Sequence, residues 1–174
     1  MTDFKSERPG RDEYHAFYEG YVSLVPEGDV SATLERQAGE TAALLGGVSE
    51  ERAGRGYAPG KWSVKELVGH VSDAERVFSY RLLAIARGET RSLHDMDQET
   101  YVRSANFNAR TLRSLVAELG HVRAATLDLL GGLDAEAWAR RGVVNENVMS
   151  VRALAHIIAG HEAHHLKVLR ERYL

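Results

Sequence analysis

The segment from His156 to His165 contains four of the eight histidines of this 174-residue chain. Drawn as a helix at 100° per residue, it has His161 and His165 near the middle of an apolar stripe. Two imidazoles four residues apart have Cβ atoms roughly 6 Å apart, so both rings can reach one cation. Neutral imidazole is a common ligand of divalent metals. The pair therefore indicates a metal site inside the protein.

Ordinary core histidines, hydrogen-bonded to carbonyl groups or to buried water, are the alternative explanation of the pair. A third histidine favours metal, because His70 lies at the edge of the apolar stripe of an earlier predicted helix. The same helical projections place His164 at the margin of its stripe. They predict that His156 and His121 face solvent, and His15 and His94 fall in loops or poorly defined segments.

The residues from His161 to His165 also spell H-E-x-x-H, the pattern of zinc peptidases in which the glutamate is a general base. Those enzymes take a third ligand further along the chain. The nine residues after His165 contain no histidine, and Glu171 is their one carboxylate side chain. The peptidase interpretation is therefore disfavoured, and Glu162 is predicted to support a metal ligand or to pair with another helix.

Composition limits the other classes of function. The chain has no cysteine, so a metal must take nitrogen or oxygen ligands and no cysteine nucleophile exists. A net charge of −3 gives no reason to expect nucleic acid or a membrane surface as a partner. The N-terminus lacks the apolar core of a secretory signal, and no stretch approaches the ~18 apolar residues of a membrane span. These features predict a cytoplasmic protein.

Four amphipathic helices are predicted to position the histidines in one domain, residues 1–174, with residues 1–28 as an N-terminal extension containing a helix over Arg11–Val25. The third helix begins with a capping box, Ser63 to Glu66, and Ser150 caps the last. Asp134 caps a short helix, and an irregular segment or weak hairpin follows. Such helices pack as an all-α four-helix bundle, in which the long connection 89–108 predicts one crossover. The main helices are predicted over Asp29–Leu45, Ser63–Arg87, Arg110–Leu130 and from Ser150 onward.

Several polar and aromatic residues receive structural predictions. Glu75 lies on an apolar face and needs a partner, for which a salt bridge is favoured over a role at the metal. Asp73 and Arg76 are predicted to pair. Asn106 and Asn108 are predicted to cap the following helix, although these two and Tyr101 could also border a pocket. Packing and staple contacts are predicted for two tryptophans, Trp62 and Trp138.

Three segments together resemble the DinB/YfiT-like superfamily: YAPGKWSVKELVGHVSDAERVFSYR, NFNARTL and SVRALAHIIAGHEAHHLKVLRERYL. The resemblance is strongest over residues 57–174. It implies an up-up-down-down four-helix bundle, commonly a homodimer, with a divalent metal on three histidines and open positions for water. Matched to the family's motif, the ligands are His70, His161 and His165. Three histidines accept zinc, nickel or iron, so the metal's identity stays open.

The resemblance implies metal-dependent chemistry of two kinds. Some members of the superfamily are bacillithiol or mycothiol S-transferases, and the leading expectation is a thiol transferase that activates a low-molecular-weight thiol cosubstrate. The alternative is a hydrolase that uses the same ligands and water. A third expectation, from another class, is a dimeric helical protein whose metal is structural or vestigial. A cavity beside the three histidines would favour either enzyme over this third possibility.

Overall fold

The structure, a computed structural model, describes residues 4–174 and is dominated by four long helices. Four short helices occupy the connections. A two-stranded antiparallel hairpin precedes the last helix, and a π-helical turn, Leu169–Tyr173, ends it. In chain order the elements are α1 (Glu19–Val22), α2 (Val30–Leu45), α3 (Glu50–Ala53), α4 (Val64–Ala86), α5 (Gln98–Ser104), α6 (Leu112–Gly131), α7 (Ala135–Ala139), β1 (Arg141–Val144), β2 (Asn147–Ser150) and α8 (Val151–Val168).

The long helices begin where side chains can bond the free amides of the first turn. Ser63 accepts a hydrogen bond from the Glu66 amide while Glu66 bonds the Ser63 amide, so the predicted capping box is present. Ser150 caps α8 by accepting from the Ala153 amide. Asp134 caps α7 in the predicted way. The caps at Ser63 and Ser150 hold the first turns of the two helices that carry the histidine cluster.

The prediction of a four-helix bundle is confirmed: α4 packs beside α6 and α8, and α2 packs beside the same two helices. The helix directions are not the expected up-up-down-down. Gln37 bonds the Ala159 carbonyl and Thr41 bonds Glu162, so α2 and α8 run parallel.

The pair α4 and α6 is parallel as well, because Arg76 bonds Glu118 and Ser79 bonds Thr126 further along both helices. By contrast α2 and α6 are antiparallel, since Arg123 donates to the Leu34 carbonyl while Glu50, just beyond α2, accepts from the Leu112 amide. The observed order is therefore up-down-down-up. Parallel α4 and α6 require a chain that returns along the bundle, which is the single long crossover, residues 87–111.

The N-terminal segment, residues 4–25, differs from the predicted helix over Arg11–Val25. It forms three 3₁₀ turns and only four residues of α-helix, α1, and it packs against α8. Arg152 of α8 bonds both Glu7 and Glu13 in this segment. The aromatic spacing there reflects contacts with the bundle and its cavity instead of a continuous helix.

The predicted weak hairpin is present between α7 and α8. Its two-residue turn, Asn145-Glu146, has φ of 46° and 63°, the left-handed pair that a tight type I′ hairpin turn requires. Inside the bundle, buried apolar residues form two clusters, and the histidines of α4 and α8 lie where these clusters meet. Within residues 4–174, no helix is both long enough and apolar enough to cross a membrane.

Candidate metal centre

Three imidazoles from two helices meet in the interior of the bundle. The Nε2 atom of His161 lies 3.1 Å from Nε2 of His70 and 3.1 Å from Nε2 of His165. One nitrogen from each ring lies within 4.8 Å of the other two. His70 and His161 are buried, and His165 is partly buried. The three histidines singled out by sequence are thus a group that could hold a metal ion.

The local sequence explains this convergence. The capping box at Ser63 fixes the start of α4, which places His70 two turns into the helix, facing α8. On α8, His161 and His165 are one turn apart on the same face. Because α4 and α8 pack antiparallel, one histidine of the first helix meets both histidines of the second.

Aromatic rings hold the imidazoles in place. The Trp62 ring lies 4.8 Å from the His70 ring, and the Tyr21 ring meets His161 edge-on at 5.3 Å. The Phe78 ring also contacts His161, at 5.8 Å between ring centres. The rings also lie between the packed helices α4 and α8, so they have little freedom to turn their nitrogens away from one another.

Two glycines make these contacts possible, each directly before a histidine of the cluster. A Cβ on Gly160 would lie 2.9 Å from the Tyr21 Cα and closer still to the Tyr21 carbonyl group. A Cβ on Gly69 would lie 2.5 Å from the Phe107 ring. Glycine therefore lets the N-terminal segment touch α8, and the crossover touch α4, beside the site.

Burial keeps the three histidines neutral. It lowers the pKa of His70 to about 4 and is the main cause of the lowering of the His165 pKa to about 3, with a smaller effect of the neighbouring histidines. The pKa of His161 is also well below its usual value, first through burial and then through the other imidazoles. Neutral imidazole is the form that binds a metal, so the cluster offers lone pairs at neutral pH.

Cavities lie on two sides of the cluster. The larger, about 570 Å³, reaches His70 and His161, and the smaller, about 270 Å³, reaches His165. Gln98 and Glu99, at the start of α5, line both. Small molecules can therefore reach the cluster from either cavity.

A buried ion-pair network lies behind the histidines. Arg123 of α6 bonds both oxygens of Glu75, at 2.8 and 2.7 Å, and one oxygen of Glu162 at 2.5 Å. Thr41 donates to the other oxygen of Glu162. Burial lowers the pKa of Arg123, but its bonds to the two carboxylates outweigh this effect and raise it. The structural partner predicted for Glu75 and the interhelix role predicted for Glu162 are both present.

His156 contradicts its sequence prediction. It is fully buried, its Nδ1 atom bonds the Arg152 carbonyl, and its Nε2 atom has no partner among residues 4–174. The helical projection assumed one solvent face for α8, whereas the N-terminal segment covers that face. His121 is exposed, as predicted. His164 lies against Tyr21 and the ring of His165 and lines the smaller cavity, without a hydrogen bond to the cluster in the described part of the chain.

The remaining predictions have mixed outcomes. Asp73 and Arg76 form the expected pair, at 3.2 Å. The asparagines do not cap α6: Thr111 does, Asn106 adopts a left-handed conformation, and Asn108 accepts a hydrogen bond from Ser63. Tyr101 lines a different cavity, which Arg81 also borders.

Sequence reasoning missed the residues that surround the larger cavity. Tyr18 and Tyr21 come from the N-terminal segment, and Arg81 lies eleven residues after His70 on α4. Eleven residues at 100° return to within about 20° of the same helix face, which was the available signal for Arg81. For the two tyrosines, the fold of the segment had to be known first.

Comparisons with known proteins agree with this architecture. A sequence model of the DinB superfamily matches residues 33–169. The structure is similar to that of YfiT from Bacillus subtilis, with a TM-score of 0.72 and 14% sequence identity over 95% of this chain and 93% of that chain. YfiT is described as a probable metal-dependent hydrolase with an unusual four-helix bundle topology. Among curated proteins, no sequence matches the chain.

Proposed function

Because this chain belongs to the DinB superfamily, we propose that it is a metal-dependent enzyme that holds one divalent cation on His70, His161 and His165. The observation that carries the proposal is the convergence of three Nε2 atoms beside a cavity. Two nitrogens at 2.0–2.1 Å from a tetrahedral ion are roughly 3.3 Å apart, close to the two separations of 3.1 Å. The donor set fits zinc, nickel or iron.

The ion-pair network supports a cation at this position. Glu75 and Glu162 share a single guanidinium, that of Arg123, so two buried carboxylates face one positive charge. Glu162 directly follows His161 and lies on the side of α8 that faces α2 and α6. The excess of negative charge in a low-dielectric interior favours a positive ion nearby.

When bound, a divalent cation lowers the pKa of a thiol or a water molecule that reaches it, so that the nucleophile forms near neutral pH. The protein's own part is to present three neutral imidazoles, to fix them with Trp62 and Tyr21, and to line the approach with apolar side chains. Glu162 is engaged by Arg123 and Thr41 and is not free to act as a peptidase base.

The reaction that we propose first is transfer of a low-molecular-weight thiol to an electrophile. The support is the pair of cavities, since a two-substrate reaction needs two binding places that meet at one centre. The sulfur–carbon bond forms as the electrophile's leaving group departs, and the thiol proton passes to solvent. The protein contains no cysteine, so the thiol must arrive as a cosubstrate.

Hydrolysis is the second candidate, and the description of YfiT as a probable metal-dependent hydrolase favours it. It requires only one organic substrate and uses water as the nucleophile. The two candidates share the ligands and differ in whether a thiol is consumed.

One set of assays tests the proposal and separates the candidates. Protein loaded with zinc, nickel or iron should contain about one ion per chain. It should consume a thiol from a low-molecular-weight panel in the presence of an aryl chloride. His165→Ala should lose metal and activity yet keep its helix content, while His121→Ala, an exposed control on α6, should keep all three.

Two results would decide against parts of the proposal. Wild type that binds no ion would overturn the metal centre itself. Metal-dependent cleavage of a nitrophenyl ester without any thiol conjugation would promote hydrolysis over thiol transfer.

A further inference from the structure

Arg81 is a buried cation on the wall of the larger cavity, and among the described residues its one ion pair is long. Its side chain is 2% exposed, and its nearest acidic oxygen, from the exposed Asp95, is 3.7 Å away. It donates to the His94 carbonyl at 2.6 Å, and its Nε atom has no partner in the described part of the chain. Arg123, equally buried, bonds two carboxylates. A buried charge is costly unless it is well paired, and the long contact with the exposed Asp95 leaves Arg81 with capacity for a closer anion.

The position of Arg81 relates it to the histidine cluster. The guanidinium carbon lies 5.7 Å from the centre of the Phe78 ring, and that ring lies 5.8 Å from the ring of His161. The guanidinium carbon is therefore at most the sum of these distances, about 11.5 Å, from the centre of the His161 ring. Arg81, Phe78 and His161 all line the one cavity of about 570 Å³.

The rest of the cavity wall defines what kind of anion fits. Aromatic side chains from the N-terminal segment and from α4 form its apolar middle. Arg81 is the one lysine or arginine among the lining residues described, while three exposed acidic residues, Asp95, Asp97 and Glu99, lie around it. Solvent screens the three exposed carboxylates, whereas Arg81 is buried, so a monoanion that reaches Arg81 is neutralised there. A dianion such as a phosphate ester would keep one negative charge facing the acidic groups.

We propose that the larger cavity binds substrates that carry a carboxylate at one end and an apolar body. Arg81 neutralises the carboxylate, the apolar body lies on the Phe78 ring, and the opposite end reaches the three histidines. The identity of the reacting end rests on the proposed function, whereas the carboxylate subsite does not require a metal.

Binding of two matched probes tests this assignment. By isothermal titration calorimetry, wild-type protein should bind 3-phenylpropionate at least about tenfold more tightly than 3-phenylpropan-1-ol, which has the same skeleton and no charge. Arg81→Met should abolish the preference. Arg76→Met should retain it, because Arg76 lies on the same helix but does not line this cavity.

A second variant guards against misfolding, since Arg81→Met also removes the bond that ties α4 to the crossover at His94. Asp95→Asn keeps that bond and removes the competing carboxylate. It should tighten binding of the acid about two- to threefold and leave binding of the alcohol unchanged.

The measurements are made on zinc-loaded and on chelated protein to separate the two proposals. A preference for the acid in both samples supports the carboxylate subsite. If the protein takes up no zinc when zinc is added, the proposed metal centre is overturned, whether or not the acid is preferred. Protein that binds zinc and shows no preference would overturn the subsite alone. The subsite is also wrong if the preference survives Arg81→Met, because the carboxylate would then bind elsewhere, or if Asp95→Asn leaves binding of the acid unchanged.

Discussion

Gly160→Ala changes one hydrogen to a methyl group at the point where the N-terminal segment touches α8. The new Cβ would lie 2.9 Å from the Tyr21 Cα, whereas ordinary contact begins at 3.4 Å. The gap must therefore widen by about 0.5 Å there and by more at the Tyr21 carbonyl group, which is backbone and cannot rotate away. Overpacking of this kind costs about 1–3 kcal/mol, and we take the upper end for a backbone overlap.

Helix propensity opposes this cost, because alanine stabilises a helix interior by about 1 kcal/mol relative to glycine. The net loss expected for Gly160→Ala is about 2 kcal/mol, or about 4–8 °C in Tm for a chain of this size. Gly120 is the matched control, since it lies inside α6 and a Cβ there would meet nothing within 4 Å. Gly120→Ala should therefore raise Tm by about 2–4 °C.

Thermal and urea denaturation measure the loss of stability in Gly160→Ala and the gain in Gly120→Ala. Hydrogen exchange shows which segment of the chain is destabilised. Amides of residues 16–25 should lose protection in Gly160→Ala while those of α4 and α6 keep it. If Gly160→Ala were as stable as Gly120→Ala, with the N-terminal segment fully protected, the close approach of Tyr21 to α8 would be wrong.

Three further predictions concern charges and the metal. Arg123→Met leaves two buried carboxylates without their cation and should cost about 3–5 kcal/mol in urea denaturation, whereas Arg76→Met at the surface should cost less than about 1 kcal/mol. Burial raises the pKa of Glu13, but its hydrogen bonds, chiefly with Arg152, outweigh this and lower the pKa from 4.5 to about 2. The ionised carboxylate thereby stabilises the fold by about 3 kcal/mol above pH 4.5, and this contribution is lost as the pH falls toward 2. The difference in free energy of unfolding between wild type and Glu13→Gln, measured by denaturation, should therefore disappear over that pH range. Added zinc at 100 times its Kd should stabilise wild type and His121→Ala by about 2.7 kcal/mol and leave the melting of His165→Ala unchanged.

Local sequence signals were sufficient for the main helices and for the histidine cluster. Ser63, Asp134 and Ser150 cap helices at the predicted positions, because capping depends only on residues within one turn. The pairing of His161 with His165 follows from helix geometry alone. The apolar face around Glu75 was enough to predict that it has a partner. That this partner is Arg123 could not be predicted, because it depends on which helices are neighbours.

Predictions that required the tertiary arrangement failed. Helix periodicity does not distinguish a parallel from an antiparallel neighbour, so the order of helix directions was wrong. His156 was misplaced because α8 is covered on nearly all sides, including by residues 4–25. Small residues along the back of α8 were the available signal, since they permit close packing there: Ala153, Ala155, Ala159 and Gly160. The homodimer stays a prediction.

The N-terminal segment lies outside residues 33–169, the part that matches the superfamily, yet it supplies His15, Phe17, Tyr18 and Tyr21 to the larger cavity. The metal-ligand candidates all lie on the bundle itself. In the proposed function, the metal ligands and Arg81 thus come from the bundle, whereas part of the aromatic wall of the cavity comes from the N-terminal segment. This segment contacts the bundle at several places, among them Gly160, Arg152 and Phe78. We therefore expect substitutions on the cavity side of this segment, with Tyr21 retained, to change which substrates such a protein accepts, in evolution or in the laboratory, while its histidine cluster is left intact.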